Sequence, residues 1–194
     1  NLVPVYTEVA ADLDTPLSAF LRLRPGPYSF LLESVEGGEK WARYSFFDSD
    51  PSMVFTAKRT RLTLRHADGR VESLKAESPF AALRELLARF TPVAVPGLPR
   101  FQGGAVGYIS YDMVRHVEEL PTLAQDDLKL PDAVFMFTDS LLVFDNLRHR
   151  LLVIGNAHIT DRDPAGLDRA YDEAVQRIEA MLDKLARPAR PPAP

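Results

Sequence analysis

The chain has 194 residues, 46% hydrophobic and 26% charged, the balance of a globular protein large enough to bury a core without staples. It contains no cysteine, which excludes a disulfide framework, a thiol nucleophile and a cysteine-type zinc site, and suits a reducing cytosol. The net charge of −4 and the lack of a basic stripe argue against a nucleic-acid partner. No apolar run approaches the roughly 20 residues that cross a bilayer, and no signal peptide opens the chain, so no membrane partner and a cytoplasmic location are expected.

In chain order, Thr15-Pro16 opens a first helix. A capping residue followed by proline is a helix start, because proline's missing N–H would be unpaired there anyway. Strands are predicted at Tyr28–Leu32, Tyr44–Phe47 and Met53–Ala57. Leu62 and Leu64 then alternate with Arg61, Thr63 and Arg65, and Asp68-Gly69 follows, a strong hairpin signal. Ser78-Pro79 opens a second helix with Phe80, Leu83, Leu87 and Phe90 on one face. Ala105–Tyr111 reads as a strand, and Asp145-Asn146 as a turn between the apolar runs Leu141–Phe144 and Leu151–Ile154. Asp163-Pro164 opens a third helix, whose face carries Leu167, Ala170, Tyr171, Ala174, Val175, Ile178, Met181, Leu182 and Leu185. Strands in groups, with helices between the groups, predict an α+β fold with largely antiparallel sheet. The run from Arg187 to Pro194 is proline-rich and reads as an extended tail or linker.

Few residues are arranged for chemistry. His66, His116, His149 and His158 are scattered and fit no metal spacing. Asp48-Ser49-Asp50 resembles the start of a calcium loop but lacks the glycine and the closing glutamate. Gln102-Gly103-Gly104-Ala105-Val106-Gly107 fails as a dinucleotide fingerprint, because Gln102 occupies the first glycine position; these glycines are expected to permit a bulge or close backbone packing. The stretch from Leu31 to Phe46 is richer. An apolar strand ends in Glu33-Ser34, a Gly37-Gly38 turn follows, and a second strand starts at Arg43. Carboxylate, hydroxyl, free amides and guanidinium near one another are the groups that a small zwitterion needs, although the spacing by itself describes a polar turn equally well.

These blocks resemble a family. Leu31-Leu32-Glu33-Ser34, the Gly37-Gly38-Glu39-Lys40-Trp41 turn and Arg43-Tyr44-Ser45-Phe46 are similar to the N-terminal region of anthranilate synthase component I, as are Phe101-Gln102-Gly103-Gly104-Ala105-Val106-Gly107-Tyr108, Ser110-Tyr111-Asp112-Met113-Val114-Arg115 and, more weakly, Leu130-Pro131-Asp132. Phe47-Asp48 departs from the aliphatic residue and glycine frequent there. The resemblance implies two sheets, mixed or antiparallel, packed as a β-sandwich with flanking helices. It implies a feedback-regulatory domain over residues 1–186 and, from 187, a linker to a missing catalytic C-terminal domain that holds chorismate and Mg2+. The whole enzyme would convert chorismate and ammonia from a glutamine amidotransferase subunit into anthranilate and pyruvate. This part would have no catalytic residue, no metal and no cofactor of its own. It would bind L-tryptophan through Ser34 first, then Glu33 and Arg43. Arg43 could instead pair structurally with Glu33, and Trp41 is better placed for packing than for stacking on the ligand. Two rivals are the corresponding domain of aminodeoxychorismate synthase component I and a structural domain that docks the glutaminase subunit.

Overall fold

The computed structural model describes residues 1–23, 26–33, 43–121, 123, 125–161 and 163–189. All three proline-led helices form where the sequence places them: α1 at Pro16–Arg22, α2 at Pro79–Leu87 and α3 at Pro164–Leu185. Each cap satisfies a backbone amide that the first turn leaves unpaired. Thr15 Oγ1 accepts from the Ser18 amide at 3.1 Å, and Ser18 Oγ returns the bond from the Thr15 amide at 3.0 Å. Ser78 Oγ and Asp163 Oδ1 accept from the amides of Ala81 and Gly166. The buried stripe of α2 is shifted from the expected one: Leu86 is buried, Leu87 is exposed, and Phe90 lies beyond the helix end. In α3, Ala170, Ala174, Ile178 and Met181 are buried, while Leu167 and Tyr171 at its N-terminal end are exposed.

The chain divides into two compact units. The first comprises Asn1–Pro51, Phe90–Gly104 and Thr138–Pro194; the second comprises Ser52–Arg89 and Ala105–Phe137. In chain order the strands are β1 (Leu2–Ala10), β2 (Phe30–Leu32), β3 (Tyr44–Asp48), β4 (Met53–Lys58), β5 (Arg61–His66), β6 (Val71–Lys75), β7 (Gly104–Ile109), β8 (Ala133–Thr138), β9 (Ser140–Asp145) and β10 (Arg150–His158).

The sheet of the first unit runs β1-β10-β9-β3-β2, antiparallel throughout. One face packs on α1 and α3. Phe47, Leu142, Phe144, Leu151 and Val153 meet Ala19, Leu23, Ile178 and Met181 there, and Phe20 lies edge-on to Phe47 with ring centroids 6.2 Å apart. Gly155 makes the close approach of α3 possible, since a Cβ at that position would lie 2.6 Å from the Ala174 carbonyl oxygen. Leu141, Val143, Leu152 and Ile154, on the opposite face, are also fully buried. β1 was not among the expected strands, and it contains Pro4. As an edge strand, whose side away from β10 carries an isolated bridge from Leu2 to Pro92, it tolerates at Pro4 a residue with no N–H to donate.

The sheet of the second unit runs β6-β5-β4-β8-β7, with β4 antiparallel to β5 and β8, and β5 antiparallel to β6. The Asp68-Gly69 turn joins β5 to β6 as predicted, with Gly69 at φ +87°. Gly107 is the close-packing glycine that the sequence implied: a Cβ there would sit 1.8 Å from the Val134 carbonyl oxygen. β7 ends at Ile109, and Tyr111–His116 forms a 3₁₀ helix where strand was expected to reach Tyr111. The Ser110 amide turns to the Asp132 carbonyl and the Met113 amide closes on Ser110, which winds the chain into a turn. Among the described residues no helix is long and apolar enough to cross a membrane. Two antiparallel sheets with helices make an α+β fold, as the grouping of strands predicts.

Candidate functional site

Of the residues singled out in the sequence, Glu33 and Arg43 fall at one end of the first unit's sheet. β2 finishes at Leu32 and Glu33 follows it, exposed to solvent. Ser34 and the Gly37–Trp41 turn lie outside the described residues. Arg43 immediately precedes β3, and its guanidinium forks onto Asp145: Nε donates to Oδ1 at 3.0 Å and Nη2 to Oδ2 at 2.9 Å. Of the two alternatives for Arg43, the pairing with Glu33 is therefore not the one formed; the structural partner is a carboxylate 102 residues along the chain. Antiparallel register explains the meeting, because Asp145 ends β9 directly opposite Tyr44 of β3 and Arg150 of β10.

Asp145 is fully buried. Burial pushes its carboxyl up, yet the Arg43 hydrogen bonds and charge, the Arg148 amide at 3.3 Å and the Arg150 charge outweigh this and hold it below the usual carboxylate range. Arg150 approaches from the other flank, with Nε 3.5 Å from Oδ2, and also pairs with Glu8 of β1. Asn146 completes the corner: its amide donates to the Arg43 carbonyl at 2.8 Å and its Nδ2 to Ser45 Oγ at 3.3 Å. Sequence reading treated Asp145 as a turn residue only. The available signal was a carboxylate closing an otherwise apolar strand, with Arg148 and Arg150 just beyond.

Beside this charged corner stands an aromatic surface. The Arg43 Cζ lies 4.8 Å above the Tyr44 ring. Tyr44 and Phe46 are 6.2 Å apart, and Phe46 meets Phe101 edge-on at 5.6 Å. Leu32, directly opposite Phe46, is half exposed. Among the described residues Nη1 of Arg43 has no hydrogen-bond partner. With respect to the described residues, the strand end thus offers an unpaired carboxylate, one open guanidinium nitrogen and an apolar aromatic surface.

The other motifs have structural roles. Gly103 and Gly104 adopt φ of +149° and +136°, and a Cβ on Gly103 would lie 2.5 Å from Asn156 Nδ2, which donates to the Gln102 carbonyl at 2.7 Å. The glycine-rich run is a packing device against a buried asparagine. His66 and His158 contact Glu72 and Asp139. Among the described residues no group of histidine and carboxylate side chains could hold a metal ion.

Residues 28–193 match the family model described as chorismate binding enzyme. The chain is 41% identical over 181 residues to anthranilate synthase component 1 of Acetivibrio thermocellus, covering 93% of this chain and 36% of that protein. It is 40% identical over 193 residues to the protein of the same name from Pseudomonas aeruginosa, covering 98% and 38%. The crystal structure of anthranilate synthase component I from Streptococcus pneumoniae TIGR4 superposes with a TM-score of 0.51 at 25% identity, over 88% of this chain and 36% of that one. The chain spans a little over a third of the length of the curated relatives that it matches. On the strength of a family match across most of its length, this chain belongs to the chorismate binding enzymes.

Proposed function

We propose that residues 1–186 are the feedback-regulatory domain of an anthranilate synthase component I, with a linker from 187. In this reading they bind L-tryptophan and lower the conversion of chorismate and glutamine-derived ammonia to anthranilate and pyruvate elsewhere in the polypeptide. The observation that carries the reading is the juxtaposition at the end of β2 and β3. Glu33 offers an acceptor for an ammonium group, Arg43 retains one guanidinium nitrogen for a carboxylate, and Tyr44, Phe46 and Phe101 form a surface suited to an indole. Ser34, next to Glu33 in sequence, supplies the hydroxyl or amide that completes an amino-acid site. Asp145 holds Arg43 in place, so the guanidinium is oriented before a ligand arrives.

Chorismate turnover, the Mg2+ ion that it needs and the docking of a glutamine amidotransferase subunit belong, in this reading, to the whole enzyme. Calorimetry with L-tryptophan on the full-length polypeptide, paired with initial rates of anthranilate fluorescence, tests it. Heat of binding and loss of rate over the same concentration range are expected. Absence of both refutes the sensor and leaves a scaffold. The 194-residue chain alone, given chorismate, ammonium and magnesium, is expected to produce no anthranilate.

A further inference from the structure

The second unit carries a row of like charges that its fold neutralises at one end alone. Register places Lys58 of β4 directly opposite Arg61 of β5, and Arg61 directly opposite Lys75 of β6. Directly opposed residues on neighbouring strands point to the same face, and like charges so placed repel. Next along the same face comes a row of hydroxyls, Thr56, Thr63 and Ser73, paired in the same way. Arg59, in the turn from β4 to β5, and Lys129 add two more cations around an open concavity of about 670 Å³. Both have φ of +52°, a left-handed conformation that glycine adopts with less strain; the Arg59 amide is fixed there by Asp132 Oδ2 at 2.6 Å.

Counter-ions reach only one member of the group. Lys58 Nζ meets Asp126 at 2.7 Å and Asp132 at 3.2 Å. Asp132 and Asp126 also accept from the backbone amides of Arg59 and Lys129, at 2.6 Å and 3.1 Å, but among the described residues the side-chain cations of Arg59, Arg61, Lys75 and Lys129 form no ion pair, in a chain whose net charge is −4.

We propose that this end of the sheet docks an acidic, extended segment of a partner polypeptide. Strands lie about 4.8 Å apart, so the three aligned cations span about 10 Å. One phosphate cannot touch all three, whereas successive carboxylates of an extended chain can. Arginine forks fit carboxylates bidentately, and the hydroxyl row supplies further donors. Nucleic acid fits less well. On β4, β5, β6 and β8 this face carries no aromatic side chain on which a base could stack, the series being Val54, Thr56, Thr63, Arg65, Val71, Ser73, Val134 and Met136 around the cations.

Fluorescence anisotropy of a labelled octaglutamate peptide against the 194-residue chain tests the proposal. Binding is expected at low salt and should weaken steeply towards about 0.15 M salt, where the Debye length is about 8 Å. Arg61→Glu with Lys75→Glu should weaken it roughly tenfold or more. Arg84→Glu with Arg89→Glu, the same charge change on exposed residues of α2 and just past its end, should leave it within about twofold. Circular dichroism checks the fold, and Arg61→Gln with Lys75→Gln replaces the reversal if it does not fold. Three results would overturn the proposal: no salt-sensitive binding by the wild type, equal losses in both double variants, or displacement of the peptide by an oligothymidylate or pyrophosphate at lower concentration than by unlabelled octaglutamate.

Discussion

Replacing Asp48 by asparagine should change how stability depends on pH. Asp48 closes β3 and is 4% exposed. Its Oδ1 accepts from the amides of Ser49 at 2.7 Å and Asp50 at 3.3 Å, while Oδ2 is buried with no hydrogen-bond partner among the described residues. Burial pushes the carboxyl from its ordinary 3.8 to about 6; the two amides pull it down, the Asp50 charge adds to the rise, and Lys184, which pairs with Asp50, counters it. A folded value above the unfolded one means that the native state holds the proton more tightly. The contribution to stability is therefore fully present below pH 3.8 and is lost as pH rises through about 6. At about 1.36 kcal/mol per pH unit, the gap amounts to about 3 kcal/mol at pH 8, most of it lost between pH 4 and pH 8. An asparagine in its place would keep the Oδ1 acceptor and never ionise, but its amide nitrogen would be a buried donor costing about 1–3 kcal/mol. Hence Asp48→Asn should be less stable than wild type at pH 4 and equal or more stable at pH 8, the difference shifting by about 2–3 kcal/mol between them. Urea unfolding at the two pH values measures it. Parallel profiles for the two proteins would show that Asp48 is not a buried charge and refute the reasoning.

Asp145 should act in the opposite sense. Its depressed folded value contributes stability above the ordinary carboxylate range that is lost as pH falls through the folded value, so Arg43→Gln should lower the melting temperature and move acid unfolding to higher pH; melts between pH 2 and pH 5 that overlay wild type would show that the pair holds nothing. Gly107→Ala places a Cβ against the backbone of Val134 and Phe135, which cannot yield, and should cost about 3 kcal/mol or more in denaturant unfolding, whereas Gly26→Ala, with nothing within 4 Å, should stay within about 0.5 kcal/mol. Ser34→Phe in the full-length enzyme should abolish inhibition by tryptophan and spare most uninhibited rate, weakening the ligand by roughly one to two decades; an unchanged inhibition curve would remove Ser34 from the site.

Sequence reading succeeded where local chemistry dictates local structure. Thr15, Ser78 and Asp163 cap helices because their side-chain oxygens accept a first-turn amide and the proline that follows suits the first helical position, and Asp68-Gly69 turns because glycine accepts a positive φ. It failed where the deciding partner is remote. Pro4 argues against a strand until β10 is seen to make β1 an edge. The third helix face ran too far towards the N-terminus because periodicity says which residues align and not how far the neighbouring sheet extends. The Arg43–Asp145 fork depends on β3 and β9 being adjacent, which no spacing in either segment announces. The basic row was missed, since no basic stripe was read in the sequence: Lys58 and Arg61 become a row only when the β5–β6 hairpin returns Lys75 to Arg61.

The pairing of β1 with β10 also determines when the first unit can finish folding as it leaves the ribosome. β1 is synthesised well before its strand partner, which begins at Arg150. At about 5–20 residues per second, the intervening chain takes roughly ten to thirty seconds to synthesise. During that interval Leu2, Val3, Val5 and Val9 have no sheet to join, and the open backbone edge is available to any extended chain nearby. The second unit can close earlier, because its last strand, β8, ends at Thr138. Synthesis therefore runs against spatial order: of the strands among the described residues, the one translated first is among the last to be buried, and it is the stretch on which a nascent-chain chaperone would act longest.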